Sequence, residues 1–144
     1  MNLPKRKATR LKSYDYSQNG YYFVTICTHK KEKTLCKIVG EGLCALPKTI
    51  LSDVGIATDK AINFINQKYE TISVDKYVIM PNHLHLIIKI EKLTGGRGDP
   101  PLHKIIGQLK SFTTHIYGKT LWQRSFHDHI IRNEEDYKKI KNYI

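Results

Sequence analysis

The run Met80-Pro81-Asn82-His83-Leu84-His85 holds the most chemically suggestive spacing in the chain. Residues at i and i+2 of a β-strand project from one face, so His83 and His85 would stand about 6–7 Å apart along it. Two imidazoles at that separation can turn toward a single ion. Neutral nitrogen donors of this kind leave coordination positions open for water and a phosphate oxygen, which is what a Lewis-acid centre needs. A second pair, His127 and His129 on either side of Asp128, has the same spacing. Arg124 and Arg132 flank that pair, which suits a surface strand touching phosphates, and Asp128 would point to the opposite face. Spacing does not separate the two pairs. Nor does it separate either of them from two hydrogen-bonded histidines on a half-exposed sheet.

The elements that must carry these residues follow from periodicity. Pro81-Asn82 breaks a strand over 71–80, and a second strand runs over His83–Ile90. Alternation puts Leu84, Leu86, Ile88 and Ile90 on its core face, with His83, His85, Ile87 and Lys89 on the other. Upstream, Tyr21-Tyr22-Phe23-Val24-Thr25-Ile26-Cys27-Thr28 is dense in aromatic and β-branched residues and reads as a buried strand after the turn Ser17-Gln18-Asn19-Gly20. Gly40-Glu41-Gly42 predicts a hairpin within 34–48. Ser52 offers an N-cap to a helix over 52–68, whose stripe is Val54, Ala57, Ala61, Ile62, Phe64 and Ile65.

The apolar pattern gives out at Leu93, and 94–101 reads as a linker rich in glycine and proline. A helix then starts near Pro101 with Leu102, Ile105, Ile106, Leu109, Phe112 and Ile116 as its stripe, leaving Lys104, Lys110 and Lys119 off it. A further strand is expected over 121–132. Asn133 caps a last helix whose first turn, Glu134-Glu135-Asp136, suits the positive end of its dipole. Strand, hairpin, helix, two strands, helix, strand and helix make an α+β pattern. The economical arrangement is one domain over 1–144, a ferredoxin-like or RRM-like, largely antiparallel sheet packed with helices.

Charge narrows the partner. Twenty-four Lys and Arg against 13 Asp and Glu give a net charge of +11 over 144 residues, a field that attracts polyanions. The cations concentrate in a basic N-terminal segment over 1–20 (Lys5, Arg6, Lys7, Arg10, Lys12) and again at Lys30, Lys31, Lys33 and Lys37. These runs carry no amphipathic apolar stripe, which disfavours a membrane surface and favours nucleic acid. No apolar run approaches a membrane span, and no apolar segment follows the N-terminal charges, so neither a membrane protein nor a signal peptide is expected. Three cysteines, Cys27, Cys36 and Cys44, without C-x-x-C spacing read as reduced thiols of a cytoplasmic protein.

Four stretches appear together and in order: Tyr14-Asp15-Tyr16-Ser17, Tyr22-Phe23-Val24-Thr25-Ile26-Cys27-Thr28, Val78-Ile79-Met80-Pro81-Asn82-His83-Leu84-His85, and Trp122-Gln123-Arg124 through His129-Ile130-Ile131-Arg132. With them the chain resembles, over nearly its whole length, the small His-hydrophobic-His (HUH) tyrosine transposases of bacterial insertion sequences, above all the branch associated with repetitive extragenic palindromes. The resemblance implies a ferredoxin-like fold and Mg2+ or Mn2+ held by His83 and His85, not by His127 and His129. It also implies a nucleophilic tyrosine on the helix after the last strand. Attack of its hydroxyl on a phosphodiester leaves a 5′-phosphotyrosine and a free 3′-OH, conserving the bond energy for rejoining. A phenol is a weak nucleophile at neutral pH, and a metal offsets this by stabilising charge in the transition state.

Two tyrosines compete for that role. On a helix Tyr137 lies in the stripe of Ile140 and Ile144, whereas Tyr143 falls at its edge, roughly 120° from Tyr137, and can remain partly solvated. The family's Tyr-Ile pair matches Tyr143-Ile144, so Tyr143 is preferred and Tyr137 is the alternative. Asn82 and Gln123 are candidates for contacting DNA or steadying the metal ligands. Lys104, Lys110, Arg124 and Arg132 are candidates for phosphate contacts.

The resemblance further implies a single-stranded or hairpin DNA partner, with no membrane. It leaves open a homodimer, as in insertion-sequence members, or a monomer, as in the palindrome-associated branch. Relatives continue past the Tyr-Ile pair and supply a third ligand, Asn or Gln, one helical turn later. The 144 residues stop short of it, so the last helix is expected to be truncated, as a decayed copy or a fragment. That expectation bears on catalysis more than on fold or DNA binding. A non-cleaving DNA-binding remnant and, more remotely, an RNA-binding module are the competing functions.

Overall fold

Alternation of apolar and mixed residues in Gly20–Cys27 forms the central strand, β1. Tyr22, Val24 and Ile26 are fully buried on one face, and Tyr21, Phe23, Thr25 and Cys27 are half-buried on the other. A computed structural model describes residues 20–40, 48–91 and 101–144. After β1 come β2 (Cys36–Val39), β3 (Lys48–Leu51), α1 (Asp53–Lys68), β4 (Ile72–Ile79), β5 (His83–Ile90), α2 (Leu102–Tyr117), β6 (His127–Ile131) and α3 (Glu134–Tyr143). The expected Gly40-Glu41-Gly42 turn lies mostly outside the described residues. So do Cys44, nearly all of the basic segment over 1–20, the Tyr14-Asp15-Tyr16-Ser17 motif and all of the linker but Pro101.

β4, β5, β1 and β6 form one antiparallel sheet in that order, and β2 pairs with β3 in a separate hairpin. The path from β1 through α1 to β4 leaves a gap that β5 fills, the split crossover of a ferredoxin-like fold. Buried Ile62 and Ile65 of α1, and Leu102, Ile105, Ile106 and Leu109 of α2, meet Val24 and Ile26 of β1 and Leu84, Leu86, Ile88 and Ile90 of β5 in one apolar core. Ser52 caps α1 through its Oγ, which accepts from the Gly55 N–H at 3.1 Å and donates to the Thr34 and Leu35 carbonyls. Only glycine fits at 55, because a Cβ there would lie 2.0 Å from the Leu35 carbonyl oxygen.

Two expectations change. The strand over 121–132 shrinks to β6. Before it the chain is tied down by Trp122, which bridges to Thr28 and donates its indole N–H to Thr113 Oγ1 at 2.7 Å. Phe64, Phe112 and Ile116, expected in the core stripes, are about half exposed. Phe64 and Phe112 line an outward-facing groove of about 530 Å³ between α1 and α2. The helices pack on the sheet with their inner faces, and no described element covers their outer ones. Among the described residues no helix is long and apolar enough to cross a membrane.

Candidate active site

The far side of the sheet carries the histidines. Their position depends on the Pro81-Asn82 turn, which is held by buried Thr28. The Thr28 N–H and Oγ1 both donate to the Asn82 carbonyl, at 2.9 and 3.0 Å, and the Leu35 N–H donates to that of Pro81 at 3.1 Å. The Met80 N–H donates to the His83 carbonyl at 2.8 Å, closing the turn. From there β5 begins by alternating as its sequence predicts, with Leu84 and Leu86 buried and His83 and His85 half-buried on the open face, before Ile87 on that same face is fully buried too.

The two imidazole rings lie 4.8 Å apart, centre to centre, and edge-on. His83 Nδ1 is 2.7 Å from Asn82 Oδ1, and His85 Nδ1 is 2.9 Å from Thr25 Oγ1. Thr25 is the cross-strand partner of His85 in the β1–β5 register, and Phe23 stacks on the His85 ring at 5.2 Å. Burial pushes the pKa of His83 below the usual histidine range. Burial does the same to His85, and the neighbouring His83 lowers it further. Both rings therefore favour the neutral state required of a metal ligand. Neither Nε2 has a hydrogen-bond partner among the described residues.

Helix α3 crosses the same face. Asn133 caps it, accepting from the Asp136 N–H at 2.7 Å, and the Lys76 ammonium donates to the Lys141 carbonyl at 2.7 Å. Its two tyrosines separate sharply. The Tyr137 hydroxyl donates to the carboxylate of Asp75, a residue set at the irregularity in β4 between Val74 and Lys76, and its ring packs 4.9 Å from Tyr21. That hydrogen bond raises the Tyr137 pKa to about 12. Tyr143 lies six residues further on, 72% exposed, with its ring 5.5 Å from His85 and 6.5 Å from Phe23. His83, His85 and Tyr143 thus come together, and Tyr137 is bound elsewhere.

His127 and His129 share the open face, since they pair in register with Thr25 and Phe23 from the β6 side. His129 is engaged, with Nε2 2.8 Å from the Asp136 carboxylate, and both rings are exposed. Lys110 is committed to the fold, donating to the Gln123 and Ser125 carbonyls at 2.9 and 3.1 Å. Lys104, Arg124 and Arg132 are exposed and Gln123 is half-buried, its N–H donating to the Cys27 carbonyl at 2.9 Å. Sequence alone does not point to Thr25, Thr28 or Asp75. Their importance lies in strand register and in a local irregularity, neither of which leaves a residue-type signal.

Among the described residues no three His, Cys, Asp or Glu side chains gather into a metal centre. Two neutral imidazoles with free Nε2 atoms fit a divalent ion that accepts nitrogen donors and takes its remaining ligands from water or phosphate.

No family model matches the chain. It is 31% identical over 160 residues to an uncharacterised protein of Haemophilus influenzae, covering 96% of this chain and 86% of that protein. It is 32% identical over 72 residues to the REP-associated tyrosine transposase of Escherichia coli, a match spanning 49% of this chain and 41% of that protein. Its fold is similar to that of a REP-associated tyrosine transposase solved bound to a REP hairpin, with a TM-score of 0.67, 22% identity, and 94% of this chain and 69% of that one covered. A Deinococcus radiodurans protein provisionally described as a transposase gives a TM-score of 0.50 at 15% identity, covering 93% of each chain.

Proposed function

We propose that this chain, which shares the fold of a REP-associated tyrosine transposase and is similar in sequence over about half its length to the Escherichia coli one, binds hairpin or single-stranded DNA and cleaves it through Tyr143. The observation that carries this reading is the approach of the Tyr143 ring to 5.5 Å from His85, beside His83. In the proposed reaction the Tyr143 oxygen forms a bond to phosphorus as the bond to the 3′ oxygen breaks. This yields a 5′-phosphotyrosine and a 3′-OH, and reversal rejoins a strand without an outside energy source. His83 and His85 would hold Mg2+ or Mn2+ through Nε2, and the ion would supply charge stabilisation at the phosphate. Phe23 stacks on the His85 ring and restricts its rotation. The bond from Tyr137 to Asp75, with that from Lys76 to Lys141, holds α3 across the face so that Tyr143 is presented rather than free to wander.

Exposed Arg124, Arg132 and Lys104, with the +11 net charge, support a nucleic-acid partner. A second reading, binding without cutting, is favoured because among the described residues no third His, Cys, Asp or Glu joins the two histidines. A labelled hairpin oligonucleotide with a single-stranded flank, incubated with Mn2+ and run on a denaturing protein gel, separates the two. The proposed reaction leaves a covalent protein–DNA band that His83→Ala and His85→Ala each remove. Tight binding with no band at any metal concentration would leave only the binding reading.

A further inference from the structure

A histidine can give a lone pair to a metal from Nε2 only when its proton sits on Nδ1, so whatever faces Nδ1 decides whether the ring is a ligand. We propose that Thr25 and Asn82 are positioning residues that hold both imidazoles in the Nδ1–H form and aim both Nε2 lone pairs into one space. The inference rests on the proposed metal-assisted reading of this face.

At His83 the partner is a carboxamide oxygen, Asn82 Oδ1 at 2.7 Å. That atom can only accept, so the His83 Nδ1–H donates and Nε2 is left as the acceptor. At His85 the partner is the Thr25 hydroxyl at 2.9 Å, which takes either role, and an Nδ1–H donor there again frees Nε2. The two partners come from different places. Asn82 is carried by the turn that buried Thr28 pins, through bonds of 2.9 and 3.0 Å to the Asn82 carbonyl. Thr25 is delivered from the neighbouring strand, where β1 pairs it directly with His85. Both imidazoles are thus held in rotation before any ion arrives, with Phe23 stacked on the second ring at 5.2 Å, and the Nδ1–H form is the one that leaves both Nε2 atoms open. An ion then meets a preset pair and need not reorient two free rings.

The test uses the full chain and two independent readouts. Long-range nitrogen–proton NMR of the metal-free protein reports the tautomer of each imidazole directly, and Mn2+ titration followed by electron paramagnetic resonance reports affinity. Thr25→Val keeps the β-branched shape suited to β1 while removing the hydroxyl, and Thr25→Ser restores it. The expected result is an Nδ1–H signal for His83 and His85 in the wild type. Thr25→Val should lose it at His85 and Asn82→Ala at His83, each weakening Mn2+ binding by about tenfold or more. Thr25→Ser should recover both signal and affinity, and thermal melts confirm that each variant folds. A wild type in the Nδ1–H form that binds no Mn2+ would sink the metal-assisted reading while upholding the tautomer assignment. A wild type with protons on Nε2, or a Thr25→Val variant with unchanged tautomer and affinity, overturns the inference.

Discussion

Two tyrosines on one short helix sit in opposite chemical settings. Tyr137 donates to Asp75, and its pKa is raised to about 12 chiefly by that hydrogen bond. An unfolded tyrosine titrates at about 10. The folded value is the higher one, so the bond's contribution to stability is complete below about pH 10 and lost as pH rises through about 12. Ultraviolet titration should show late-ionising tyrosines, Tyr77 through burial and its bond to Asp59 as well as Tyr137, and Asp75→Asn should bring Tyr137 alone back toward the ordinary range. A late amplitude as large in Asp75→Asn as in the wild type would show that another group holds Tyr137. A phenol so held is a poor nucleophile, since attack would require giving up both its proton and its anchor. On the proposed reading Tyr143→Phe therefore abolishes covalent adduct formation. Tyr137→Phe leaves an adduct in reduced yield, because α3 loses a tether and not its reacting oxygen. Loss of the adduct in Tyr137→Phe with full retention in Tyr143→Phe would reverse the assignment.

At the scale of elements, the site is only as well placed as the turns and caps around it. Four contacts at the Leu35 segment join the hairpin, α1 and the histidine turn. Its carbonyl accepts from the Ser52 backbone N–H at 2.9 Å and from the Ser52 hydroxyl, its own N–H reaches the Pro81 carbonyl, and Gly55 packs against its backbone. A methyl group at 55 would meet main-chain atoms that no side-chain rotation can move. Gly55→Ala should therefore cost about 1–3 kcal/mol despite alanine's better helix propensity, measurable by urea denaturation. A neutral or stabilising result would mean that α1 can slide away from Leu35. The same chain of contacts predicts that the variant also perturbs the His83 amide resonance, because the Leu35 segment braces the Pro81-Asn82 turn.

Across the whole molecule the sheet divides two duties. Its buried face, under α1 and α2, supplies the apolar core, and its open face carries the histidines, the aromatic rings and α3. The net charge of +11 belongs to the molecule as a whole. Binding to a single-stranded oligonucleotide should fall as salt rises, with a logarithmic slope of about −0.7 for each phosphate neutralised. Affinities measured across a range of potassium chloride concentrations test this, and a flat line would remove the electrostatic basis of the DNA-binding reading.

Sequence by itself determined what depends on neighbours along the chain. Period-2 alternation put His83 and His85 on one face of β5, because the strand pleat is a local property. Ser52 and Asn133 marked the starts of α1 and α3, because a cap needs only the next three residues. The βαββαβ order implied the sheet, because short right-handed connections leave few alternatives. Tertiary structure decided the rest. Spacing could not say which histidine pair meets a tyrosine, since both pairs share the open face, and it is the crossing of α3 that brings Tyr143 to His85 and His129 to Asp136. Edge position on the helix favoured Tyr143, but the tie between Tyr137 and Asp75 needed an irregularity in β4 sixty-two residues away. Thr25 became a partner of His85 only through strand register. Phe64 and Phe112 had core-like spacing and still face outward, because periodicity orients a side chain without saying whether another layer covers it.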